Sequence, residues 1–73
     1  MDNRAKVKGL IAERLRAYMA KHDLTQEQVA VKSQVSKSMV FCMLNELRCP
    51  SAEIIYKMAK GLHVSADYLL GLD

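Results

Sequence analysis

Four hydroxyl residues, Thr25, Ser36, Ser51 and Ser65, each stand directly before a short stretch whose apolar residues recur at helical spacing. A side-chain oxygen in that place accepts from a first-turn amide, so each one marks a helix start. Thr25-Gln26-Glu27-Gln28 matches a capping box, in which the threonine accepts from the N3 amide and Gln28 reaches back to the threonine amide. A helix is therefore predicted from Gln26, with Val29 and Ala30 as its apolar face and the polar run Lys32-Ser33-Gln34 as a tight turn. Ser36 opens another, about Lys37–Asn45, with Val40, Met43, Leu44 and Leu47 as one buried stripe. Lys37, Ser38, Phe41, Cys42 and Asn45 then face elsewhere. Ser51, behind the only proline, opens a helix carrying Ile54, Ile55, Met58, Ala59 and Leu62 inward. Ser65 opens a last short one, with Asp67 complementing the helix dipole and Leu69 and Leu70 turned inward. Ahead of all four, Val7, Ile11, Leu15, Tyr18 and Met19 trace one face of an amphipathic helix. The fold class is all-α, with five helices.

A chain of 73 residues supports one domain, here residues 1–73, because so short a chain buries only about 60% of the surface its unfolded form exposes. One Phe, three Tyr and no Trp leave little aromatic mass, so the core must come from aliphatic helix seams. No signal peptide or membrane span is readable, because the apolar runs are only a few residues long and charges are mixed among them. Cys42 and Cys49 are too few for a metal cage or a disulfide framework, which points to free thiols in a reducing cytoplasm. A net charge of +3 is compatible with a polyanionic partner and decides nothing alone. Arg4, Lys6, Lys8, Arg14 and Arg16 crowd the start, where a solvated helix face accounts for them. His22 and His63 each lack a nearby second ligand or a nucleophile to activate, so neither catalysis nor a metal or other cofactor is expected. Met19, Met43 and Met58 fall on core faces, where packing explains them.

Leu24-Thr25-Gln26-Glu27-Gln28-Val29-Ala30, followed by Val35-Ser36-Lys37-Ser38-Met39-Val40, resembles the lambda-repressor-like (Cro/CI type) helix-turn-helix family. The likeness runs on without a gap through Asn45, Arg48, Pro50-Ser51, Lys57-Met58-Ala59-Lys60, Leu62, Val64-Ser65, Asp67 and Leu69-Leu70-Gly71. It implies a compact five-helix DNA-binding domain, with the helix-turn-helix at helices two and three. In that arrangement the second helix lies across the DNA backbone and the third enters the major groove.

Three departures from the family pattern matter. The family often places Gly in the turn between helices two and three and after helices three and four, where this chain has Gln34, Glu46 and His63. Either these residues sit strained in the left-handed region, at roughly 1–2 kcal/mol each, or the turns differ. The family also commonly joins a helix-one Arg to a Glu near the end of helix three, and here both matching positions, Met19 and Leu44, are apolar. Exchanging both partners of a buried ion pair for packed apolar groups is often neutral, whereas exchanging one strands a charge, so the double change supports the likeness. Finally, Phe41 and Cys42 stand on the third helix where the family offers polar groups to base edges.

The resemblance implies roles for particular residues. Lys37 and Ser38 reach bases or adjacent phosphates, unless they are only solvated surface. Phe41 packs on a thymine methyl and Cys42 is a small, weakly polar contact, with DNA shape carrying part of the discrimination. Gln26 touches a phosphate from the first turn of helix two, or is simply a solvated helix former. Asn45 and Arg48 grip the backbone, though Asn45 equally suits a C-cap. A homodimer on a roughly palindromic operator, acting as a repressor, would place two such units on half-sites about 34 Å apart, with Tyr68, Leu70 and Leu72 as interface. The competing expectation is an antirepressor-like module on the same scaffold, docking a protein through Phe41 and Cys42.

Overall fold

All four hydroxyl caps close in the computed structural model, which describes residues 2–73. The elements are α1 (Arg4–His22), α2 (Gln26–Ser33), α3 (Lys37–Leu44), α4 (Ala52–Leu62) and α5 (Ala66–Leu70). Thr25 Oγ1 accepts from the Gln28 amide at 3.1 Å while the Thr25 amide donates to Gln28 Oε1 at 2.9 Å, completing the capping box. Ser36, Ser51 and Ser65 accept from the amides of Met39, Ile54 and Tyr68 at 3.0, 3.3 and 3.0 Å. Each such cap is worth about 1 kcal/mol, a useful share for helices as short as α2 and α3.

The helix ends follow one pattern. The amides of Leu24, Val35, Leu47, Val64 and Leu72 donate back five residues, to the carbonyls of Met19, Ala30, Cys42, Ala59 and Asp67. Closing that bond requires the residue before each donor to turn left-handed. Those residues are Asp23 (φ 54), Gln34 (φ 57), Glu46 (φ 58), His63 (φ 58) and Gly71 (φ 71). Of the two possibilities the sequence leaves open, the chain therefore keeps the family's turns and places side chains in a region that favours glycine. Leu24, Val35 and Val64 pack against the core just past their turns, and this burial offsets the strain.

Ile11, Leu15, Val29, Val40, Met43, Met58, Leu62 and Leu69 fill the interior with at most 1% of their surface exposed. They come from all five helices. α1 packs on α3 and α5, and α2 packs on α3 and α4, with α5 also against α4. Leu44 belongs to this core and Met19 is half-buried against it, so both members of the family's ion-pair position are apolar packing residues.

Leu47 is a correction to the sequence expectation: it is 60% exposed. The helix stops at Leu44, and the left-handed Glu46 swings the chain off the stripe that Val40, Met43 and Leu44 define.

The tightest packing lies between α2 and α4. A Cβ built on Gly61 would meet the Lys32 carbonyl oxygen at 2.1 Å, and the Lys32 carbonyl carbon and Ser33 Cα at 2.8 Å each. These are backbone atoms, so no side chain can rotate away. Ser33 beneath this crossing is 2% exposed, and its Oγ has no hydrogen-bond partner among the described residues. Gly61→Ala should therefore cost about 3 kcal/mol by forcing the two helices apart, seen as a lowered denaturant midpoint. His63→Gly should do the reverse and stabilise by about 1 kcal/mol, because it relieves a left-handed side chain without removing a core contact.

Candidate nucleic-acid interface

Helix α3 has two unlike faces. Val40, Met43 and Leu44 anchor one side, at 0, 1 and 4% exposure. On the other side Lys37, Ser38 and Phe41 are exposed and Cys42 is half-buried. The spacing of Lys37, Ser38, Phe41 and Asn45, at one, three and four residues, is one stripe along about two turns. Its width and length suit an object entering a groove, since the B-DNA major groove is about 12 Å wide and admits one α-helix.

The ends of α3 are held from other helices. At its start, Lys37 Nζ lies 3.7 Å from Glu27 Oε2 in the first turn of α2. Both side chains are well exposed, so the pair contributes at most about 1 kcal/mol and is readily exchanged for another anion. At its end, the Arg16 guanidinium on α1 donates to the Leu44 carbonyl. This tie satisfies a carbonyl the helix cannot pair itself and sets a cation at the negative end of the dipole. Asn45 caps the same end, its Nδ2 donating to the Phe41 carbonyl at 2.9 Å. Its amide oxygen is left for a further partner.

Gln26, half-buried, is the first residue of α2 and follows the Thr25 cap. Arg48 is exposed in the segment between α3 and α4, and it makes no ion pair among the described residues. Lys37 and Glu27 thus join the openings of α2 and α3, while Asn45 and Arg48 lie where the chain leaves α3. The expected interface residues Tyr68, Leu70 and Leu72 differ among themselves. Tyr68 is half-buried, its hydroxyl donating to the Arg14 carbonyl at 3.3 Å with the Arg14 guanidinium 5.0 Å from its ring centre. Leu70 packs partly against the core, and Leu72 is 70% exposed.

Two contributors are not evident from the sequence. Arg16 figures there only among the charges of α1, although it stands three residues before Met19 and so within reach of the same end of α3. Glu27 figures only as part of the capping box. The helical offsets carry a signal in both cases, but which neighbour each side chain meets depends on how α1 and α2 cross α3.

No helix among the described residues is long and apolar enough to cross a membrane. No group of three or more His, Cys, Asp or Glu able to hold a metal ion occurs among them either. No curated protein and no solved structure matches the chain. A family model described as helix-turn-helix does match, over residues 15–69, which runs from the middle of α1 to Leu69 in α5 and includes α2, α3 and α4 whole. With that span matched and five helices packed around α2 and α3, the chain belongs to the lambda-repressor-like, Cro/CI type family of helix-turn-helix DNA-binding regulators.

Proposed function

We propose that the protein is a cytoplasmic, sequence-specific transcriptional repressor that inserts α3 into the major groove of a palindromic operator as a homodimer. The observation that carries this is the free face of α3: Lys37, Ser38 and Phe41 are exposed in one row, while the opposite face is buried to 4% or less. A helix so rigidly seated presents its side chains at defined positions, as base readout demands.

In this function Lys37 leaves Glu27 for guanine O6 and N7 or a phosphate. The exchange is favourable, because a good base contact is worth about 1–3 kcal/mol and the exposed ion pair about 1 at most. Ser38 serves several bases, Phe41 covers a thymine methyl, and the half-buried Cys42 lines the same edge. Gln26, Asn45 and Arg48 position the domain on phosphates at the two sides of the groove. Two copies on half-sites about 34 Å apart double the contacts, and the exposed Leu72, with the accessible edges of Tyr68 and Leu70, is the surface where they meet. An operator so occupied is closed to other proteins, which is repression by exclusion.

Selection of bound sites from random duplexes tests the proposal. Lys37→Ala and Phe41→Ala should each change the preferred base at one or two positions per half-site, symmetrically, at about 1–3 kcal/mol per base. If both variants select the parent's sequence, α3 does not read bases. The Phe41–Cys42 face then serves as a docking patch for a protein, as in an antirepressor. Arg48→Ala should weaken binding to all duplexes alike and reduce the salt slope by about 1, and a loss confined to the preferred site would remove Arg48 from the backbone.

A further inference from the structure

The match to the family model begins at residue 15, yet α1 begins at Arg4, so the first turns of this helix lie outside it. They do not stand free. Arg4 and Lys8 line an open cleft of about 520 Å³ whose other wall is the segment leaving α3, with Leu47 and Arg48. Residues far apart in the chain thus bring three cations to one trough. Like charges gathered without pairing repel one another, and only one carboxylate in the lining answers them. It is Asp2, 2.9 Å from Arg4 Nη2 and also accepting from the Arg4 amide and Nε. Lys8 and Arg48 have no ion pair among the described residues. Three cations less one anion leave the lining at +2, and one further carboxylate, Glu46, whose Oε1 lies against Gly9, borders it.

We propose that this cleft is a second DNA-backbone site, in which Arg4, Lys8 and Arg48 hold phosphates flanking the base pairs that α3 reads. The inference rests on the DNA-binding function proposed above. Its occupant follows from shape and charge. The cleft is open to solvent and not enclosed, which suits a polyanion lying across it better than a small buried ligand. It adjoins the end of α3 through Arg48, so the same strand that passes Asn45 continues into it. DNA carries one charge per about 1.7 Å of its axis, so an adjoining basic wall meets further phosphates without any change of base sequence. Leu47, 60% exposed, adds an apolar surface beside the sugars. The site enlarges the footprint and the affinity while leaving base preference alone.

The test is binding of the whole protein to a mixed-sequence duplex of about 30 base pairs, long enough for the whole footprint, across a potassium chloride series. Arg4→Ala combined with Lys8→Ala should lower the salt slope by about 2 and the affinity at low salt by about tenfold, with base preference in site selection unchanged. Asp2→Asn, which keeps an acceptor for the Arg4 amide and removes the competing charge, should tighten binding instead. Lys32→Ala with Lys60→Ala, lining a different groove, removes the same charge and should leave the slope near the parent's. Thermal melting checks that each variant folds. If the parent binds the duplex but the Arg4/Lys8 variant keeps its slope, or the Lys32/Lys60 variant loses as much, the cleft is not a phosphate site. Failure of Asp2→Asn to tighten binding overturns the proposal equally, because a gain in affinity is independent of any folding defect in the double variant. If the parent binds no duplex even at low salt, the DNA-binding function itself fails, and an acidic protein becomes the partner to seek.

Discussion

The crossing of Gly61 over the Lys32–Ser33 backbone sets the distance between α2 and α4, and the orientation of α3 depends on it. α2 is only eight residues long and cannot hold itself in place by its own hydrogen bonds. It is fixed by Val29 and Ala30 in the core and by direct backbone contact with α4. Because α2 and α3 are joined by a turn of only a few residues, any shift of α2 against α4 is passed to α3. A missing Cβ at one position thus governs the pose of the distant exposed row Lys37, Ser38 and Phe41.

Around that crossing the chain accepts strain at four turns, three of which, at Gln34, Glu46 and His63, are places where the family often has glycine. Asp23, Gln34, Glu46 and His63 all turn left-handed, at roughly 1–2 kcal/mol apiece, and a domain of this size has only a few kcal/mol to spare. The turns survive because each returns the chain to the core or ties down a helix end. Three of the residues that follow, Leu24, Val35 and Val64, are half-buried against the core, and each recovers part of the about 1.5–3 kcal/mol that full burial of an aliphatic side chain is worth. Leu47, past Glu46, and Leu72, past the glycine turn at Gly71, remain exposed and return little of that energy, which marks both as surface available for other contacts.

Electrostatics acts at the edges of the structure and hardly at all inside it. Every ion pair among the described residues has an exposed or half-exposed partner, and the side-chain bond from Arg4 holds the Asp2 carboxyl below its usual range while the same bond raises Arg4. Such pairs contribute little to folding. For the same reason they are readily exchanged for other partners, so the carboxylates that hold Lys37 and Arg4 in position are no barrier to the phosphate contacts proposed for both. The end of α3 is tied instead by a hydrogen bond to backbone, from Arg16 to the Leu44 carbonyl, with Arg16 one turn before Met19, the helix-one place of the family's ion pair.

The five helices and the starts of α2 to α5 were legible in the sequence, because a hydroxyl cap and a 3.6-residue apolar period are local signals that need no knowledge of neighbours, whereas α1 begins at Arg4, ahead of the Val7 from which its period is read, and has no side-chain cap to mark it. The buried faces of α1, α2, α4 and α5 followed from the same period, as did the exposed row Lys37, Ser38 and Phe41. Leu47 was misplaced because the apolar stripe was carried past the end of the helix, which stops at Leu44, and the left-handed Glu46 turns the chain away before Leu47. Nothing in the sequence singles out Gly61, for a missing side chain gives no sign of the backbone that lies where it would have been. The bond from Arg16 to α3, the pairing of Lys37 with Glu27 and the meeting of Arg4 and Lys8 with Arg48 were equally invisible. Each joins residues whose distance is decided by how helices cross, and crossing geometry is a property of the packed core as a whole, which only the tertiary structure specifies.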